Sequence, residues 1–332
     1  MALVSFEVAD RIGDCFMSLL AQHGIDPPTR SDPESEILSL THLIEVTKHP
    51  NLAVGTERVK TLRCAGGVHD FAAKVLSLGS GEHFQCFLPH LRLIAESKHL
   101  AASISQNKKS AYGDDTARKM AELYLAACAF HFSEEVALDH PTKSIGDNPD
   151  VMFRPCEPSS SGSKKTWSLA IKTISTSQGQ TIFERIKEGA EQIDSSKCVA
   201  DRGMVVINAK DAIDHDALWN PQAPFNGLAE AQEALRCQLL ALAQEAGANR
   251  PPSEWDELFG GKVVRPVLFM GQTLVKLPLQ VGTEIPTELK MVMEFDAGGT
   301  IDSDGREIAR RLNHYMQSIV QGIPGSDGVE PR

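Results

Sequence analysis

Three stretches decide how this 332-residue chain folds: Asn148-Pro149-Asp150-Val151-Met152-Phe153, Leu169-Ala170-Ile171-Lys172-Thr173 and Met204-Val205-Val206-Ile207. The first two contain short apolar runs, Val151 to Phe153 and Trp167 to Ile171. The polar segment from Pro158 to Lys165 lies between them, so they read as two strands joined by a hairpin loop. The third is almost continuously apolar, the mark of a strand buried on both faces. Between the second and third, Ile182, Ile186, Ala190 and Ile193 recur at helical spacing. A further helix precedes the first stretch: Asp114 and Asp115 suit the positive end of a helix dipole, and Met120, Ala121, Tyr124, Leu125 and Cys128 trace an apolar face. The succession helix, strand, strand, helix, strand indicates an α/β domain with a mixed sheet from residue 111 onward.

Working outward, residues 1–105 read as an all-α N-terminal domain. Helices are expected over 5–22, 56–64, 68–78 and 86–98, with Gly66-Gly67 and Gly79-Ser80-Gly81 as breaks. Another is expected after Ser31-Asp32-Pro33-Glu34, a cap followed by Pro at the first helical position, where Ile37, Leu38, Leu40, Leu43 and Ile44 recur. The boundary falls at the polar stretch Ser103 to Tyr112. On the C-terminal side a helix is expected over 227–247, strands over 263–270 and 289–295, and a helix from Arg306 to Val320. Residues 111–322 then form the α/β domain and 323–332 a flexible tail.

Composition narrows the function. Hydrophobic residues make up 42% and charged residues 23%, values that suit a globular chain with a sizeable core. The net charge is −11 and the isoelectric point near 5.5, which argues against a chain that coats nucleic acid by charge alone. The charge is uneven: residues 1–110, 111–200 and 201–332 carry −1, −3 and −7. No apolar run reaches the ~20 residues of a membrane span, and Met1 to Leu20 lacks a basic region ahead of an apolar stretch. The seven cysteines are scattered with no CxxC pair, and they read as reduced thiols of a cytoplasmic protein.

Pro149-Asp150, followed one hairpin later by a strand ending in Ala170-Ile171-Lys172, resembles the PD-(D/E)xK phosphodiesterase superfamily. Met120-Ala121-Glu122 with Leu125-Ala126-Ala127 resembles the first core helix of that superfamily, which often carries a glutamate. The resemblance covers residues 113–210. It implies a restriction-endonuclease-like core, a mixed central sheet flanked by helices, and a Mg²⁺- or Mn²⁺-dependent nuclease acting on DNA. In that reading Asp150, the Ile171 carbonyl and either Glu184 or Glu122 hold the metal, and Lys172 positions or activates the attacking water.

The chemistry suits these residue types. A hard divalent cation takes carboxylate and carbonyl oxygens with water completing its shell. Lys172 lies two residues beyond Ala170 on one strand face, where its charge can meet a phosphate. The sequence departs from the pattern at Ala170, where the second acid belongs. Glu184, twelve positions past Lys172, is the candidate replacement, as in restriction enzymes that move this glutamate to the following helix; Glu122 is the other candidate. Lys164, Lys165, Arg185 and Gln192, with Arg118, Lys119 and Lys187, lie on elements that would border the phosphate backbone.

Ala170 also suits a non-catalytic interaction protein built on a degenerate nuclease fold. Convergence of Glu122, Asp150 and Glu184 separates the two readings, and an accidental match would leave the strands bearing Asp150 and Lys172 apart. A homodimer is compatible with either. Asp214-His215-Asp216 could ligate a metal, but alternating Asp on a loop reads better as a structural turn.

Overall fold

The computed structural model describes residues 6–27, 29, 34, 37–38, 41–42, 45, 55–79, 81–96, 115–144, 147–157, 162–280 and 283–319. Most of the helix expected after Ser31, the boundary at Ser103 to Tyr112 and the tail 323–332 lie outside the described residues. The chain divides into two compact units, Met1–Ala127 with Gln317–Arg332, and Cys128–Met316. The division falls inside a helix, Asp115–Phe130, and not in the polar stretch before it.

The described elements of the first unit are helical: α1 (Phe6–Gln22), α2 (Gly55–Leu76), a 3₁₀ turn (Glu82–Phe87), α3 (Leu88–Glu96) and most of α4 (Asp115–Phe130). Its core includes Ile12, Phe16, Phe71, Phe84 and Leu91, with the Phe16 and Phe71 rings edge to face at 6.0 Å. Gly66-Gly67 does not break α2. The flanking Ala65, Val68, Phe71 and Ala72 are buried, and their packing offsets the roughly 1 kcal/mol cost of each helical glycine. A buried ion pair joins Asp70 to Lys74 at 3.1 Å, and the Tyr124 hydroxyl donates to Asp70 at 2.8 Å.

The second unit is mixed α/β. Its strands are β1 (Ser133–Leu138), β2 (Val151–Pro155), β3 (Trp167–Thr173), β4 (Arg202–Asn208), β5 (Val267–Gln280) and β6 (Thr283–Phe295), and they form one sheet in sequence order. The β3/β4 and β4/β5 pairs are parallel and the other three antiparallel. The helices are α5 (Gly179–Asp194), α6 (His215–Trp219), α7 (Leu228–Gly247), α8 (Pro252–Leu258) and α9 (Ser303–Ser318). β5 and β6 run well beyond the expected segments, as one long hairpin. β1, absent from the sequence reading, forms one edge of the sheet, with Glu134 and Glu135 exposed and bonded to Lys164 and Arg154.

Asp214 caps α6 by accepting from the Ala217 N–H at 3.0 Å. His215 is buried between Thr273 Oγ1 (3.0 Å) and the Lys210 carbonyl (2.7 Å), so the Asp-His-Asp segment is a structural turn.

α5 crosses from β3 to β4 and buries Ile182, Phe183, Ile186, Gly189, Ala190 and Ile193. At its start, a methyl group on Gly179 would overlap the Glu245 carbonyl of α7. Gly179→Ala is therefore expected to cost ~3 kcal/mol through overpacking against backbone. An unchanged urea midpoint would overturn this. On α9, the Arg310 and Arg311 guanidiniums bond the Glu307 carboxylate and hold its pKa down to about 2. A depressed carboxylate stabilises the fold above its ordinary value of 4.5 and loses that contribution as pH falls toward 2. Because the group is partly solvated, Glu307→Gln is expected to flatten the acid limb of the stability profile by no more than ~1 kcal/mol. Urea titrations at pH 3 and pH 7 check it.

Candidate functional site

β2 and β3 are neighbours, paired Val151 to Leu169 and Phe153 to Trp167. Just before β2, Pro149 has no N–H to donate and biases Asn148 toward an extended conformation, so regular pairing ends here and the chain turns. Asp150 follows, 8% exposed, its N–H donating to the Leu169 carbonyl at 3.0 Å. Its carboxylate Oδ2 accepts the Ile171 N–H at 2.6 Å. The side chain thus continues the β2/β3 ladder where the β2 backbone leaves off.

That bond also orients Ile171. Within a strand the N–H and C=O of one residue point to the same side. The Ile171 carbonyl is therefore directed to the edge that holds Asp150. Lys172, next along the chain, faces α5, where its ammonium donates to Gln192 Oε1 at 2.6 Å. Asp150 is thus bonded to Ile171, and Lys172 to Gln192.

Ala170 is fully buried within the hydrophobic cluster that also contains Ile186, Ala190, Val205 and Ile207. Gly189 of α5 lies over it: a Cβ built on Gly189 would stand 2.9 Å from Val205 Cγ1 and 3.5 Å from Ala170 Cβ. The position where the superfamily carries its second acid is a fully buried, apolar one here.

The candidate replacements are held by other partners. Glu184 is exposed and accepts from Gln180 Nε2 at 2.9 Å. It precedes Gln192 by eight residues, which places it ~12 Å away along the axis of α5. Glu122 belongs to the first unit. There it is 3% exposed, bonded to His90 Nε2 at 2.9 Å and to the Lys119 ammonium at 2.8 and 2.9 Å. Among the described residues no group of three or more His, Cys, Asp or Glu side chains is placed to hold a metal ion.

The sequence reading passed over Asp139. The β1/β2 register pairs Leu138 with Val151, and the Asp139 N–H donates to the Asp150 carbonyl at 3.0 Å. That bond sets the Asp139 backbone beside Asp150 where the ladder ends. Asn148 Nδ2 reaches Asp139 Oδ1 at 3.4 Å. The signal was hidden because Asp139 follows an edge strand whose Glu134-Glu135-Val136-Ala137-Leu138 shows no clean alternation.

The basic residues expected to line a nucleic-acid path are tied to acids. Lys164 pairs with Glu134, Lys165 with Asp304 at 3.9 Å, and Arg185 with Glu188 at 2.7 Å. Lys164 and Lys165 precede the start of β3, the far end of that strand from Lys172. No family model, curated protein or solved structure matches this chain.

Proposed function

We propose that this chain is a metal-dependent nuclease that hydrolyses phosphodiester bonds of DNA on a restriction-endonuclease-like core. The observation that carries the reading is the Asp150 carboxylate bonded to the Ile171 N–H, with Lys172 next in the strand. The expected helix, hairpin, helix and buried strand are present as α4, β2 with β3, α5 and β4, with β1 added between α4 and β2.

The donor set fits Mg²⁺ or Mn²⁺. Asp150 and the Ile171 carbonyl offer hard oxygens where β2 begins beside β3, and Asp139 adjoins Asp150 through the bond from its N–H to the Asp150 carbonyl. A divalent ion held by these groups supplies charge for the scissile phosphate and a more acidic water. Asp150 also fixes the strand end, because its bond to Ile171 sets the direction of the carbonyl. Lys172 places a positive charge beside the position of the phosphate, where negative charge grows as water adds and the P–O bond to the leaving sugar oxygen breaks. The hydrophobic cluster beneath, from Ala170 to Ile207, keeps that strand rigid.

Cleavage of single- and double-stranded DNA by the purified chain in Mg²⁺ or Mn²⁺, absent in EDTA, is the expected result. An inactive parent on every DNA form would sink it. The burial of Ala170 favours a second reading, a non-catalytic interaction protein on a degenerate nuclease fold. Calorimetry with Mn²⁺ separates the two: the nuclease binds the ion, and the interaction protein does not.

A further inference from the structure

We infer that Lys197 is a contact for the DNA substrate and that Asp147 gates it, so that a DNA phosphate binds by displacing Asp147 from the lysine; this rests on the nuclease reading above. The Lys197 ammonium is ion-paired with the Asp147 carboxylate. Asp147 lies three residues before Asp150, and Lys197 five residues after Gln192. The pair therefore joins the two segments that lead to the site, one entering β2 and one leaving α5.

Position separates this lysine from the other basic residues. Arg185 is bonded to Glu188 three residues along its own helix, so that pair moves as one body. Lys197 bonds instead to a residue 50 positions away in the chain. Three residues of chain span at most ~11 Å, which bounds the separation of Asp147 from Asp150. A DNA strand carries a phosphate every ~3.4 Å of its axis, so phosphates a few nucleotides from the scissile bond fall in the range of Lys197.

The backbone presents the lysine outward. Cys198 and Ala200 are buried, the Cys198 N–H donates to the Ser195 carbonyl at 3.1 Å, and the Lys197 N–H donates to Ser195 Oγ at 3.2 Å. The Lys197 side chain is 53% exposed and that of Asp147 45%. A pair this open to water adds little to the fold, so it can be broken at small cost. An incoming phosphate competes for the same ammonium, aided by the counterions that its neutralisation releases from the DNA. The ion pair thus acts as a gate: it lowers the affinity for DNA by occupying Lys197, and it keeps that charge in place until the strand arrives.

The test is a double-mutant cycle on the full-length chain: parent, Lys197→Met, Asp147→Asn and the two together. Each is titrated with a short fluorescent DNA duplex in EDTA across ~50–200 mM salt. Lys197→Met is expected to weaken binding roughly three- to tenfold and to reduce the salt slope by about one. Asp147→Asn is expected to tighten binding about two- to fivefold, and to lose that gain in the Lys197→Met background. Equal tightening in both backgrounds would reveal an acid that merely repels DNA, and would overturn the inference. So would unchanged affinity in Lys197→Met, or a parent that binds no duplex. Cleavage in Mn²⁺ keeps the two readings apart. With an active parent, Lys197→Met should raise KM and hold kcat, whereas a fall in kcat at constant KM would remove the phosphate contact. A parent that binds the duplex and cleaves nothing removes the nuclease reading, and the binding cycle still decides the gate.

Discussion

Replacing Ala170 by glutamate, which completes the motif on paper, is expected to destabilise the second unit severely and to yield no gain in cleavage. Ala170 is fully buried beneath α5, and its cluster partners are aliphatic or aromatic. A carboxylate there loses its hydration with nothing charged to meet it, and the added atoms must displace α5. Overpacking alone costs about 1–3 kcal/mol, and the buried acid adds a comparable amount. A combined loss of ~5 kcal/mol lowers the melting temperature by roughly 10–20 °C for a unit of this size. Calorimetry or circular dichroism reads this directly. A variant that melts with the parent, or cleaves faster, would show that the space above Ala170 is open and that α5 does not seal it.

The second large effect is expected from Asp150→Asn and Lys172→Ala, each lowering kcat by about 10³-fold, or ~4 kcal/mol of transition-state stabilisation. Asparagine is the informative choice at position 150, because its side-chain oxygen still accepts the Ile171 N–H and spares the strand end. Alanine would leave that donor unmatched at ~1–3 kcal/mol. The two variants should differ in metal affinity: Mn²⁺ binding is lost in Asp150→Asn and retained in Lys172→Ala. The same titration ranks the other carboxylates. Asp139→Asn should weaken Mn²⁺ binding about tenfold, and Glu184→Gln should leave it unchanged. If Glu184→Gln is the damaging one, the metal sits over α5 and not where β2 begins beside β3.

The elements that decide the topology were legible because burial imposes a period. Ile182, Ile186, Ala190 and Ile193 announce α5, and Met204 to Ile207 announce β4, since both are pressed against the core. Edges write weaker signals. β1 carries Glu134 and Glu135 side by side at a register shift, so its alternation fails and the strand was not seen. With β1 went Asp139, whose place beside Asp150 exists only through the ladder. Gly66-Gly67 misled in the opposite direction. Local propensity marks a break, but the packing of Val68, Phe71 and Ala72 carries α2 through it. At the site, the sequence brought Asp150, Ile171, Lys172 and Gln192 into one region because they flank paired strands and a single crossover helix. It could not say that Gly189 would close over Ala170, because close approach between a helix and a sheet is a three-dimensional fact with no one-residue signature.

The outer edge formed by β1 bears on how copies of this chain can meet. Joining two copies through β1 would extend the sheet across the pair and set Glu134 and Glu135 of one protomer against the same residues of the other. Acidic pairs along such a seam repel, and each copy would first have to give up its bonds to Lys164 and Arg154. The strand that sets Asp139 beside Asp150 therefore also guards the sheet against templated growth and aggregation from that side.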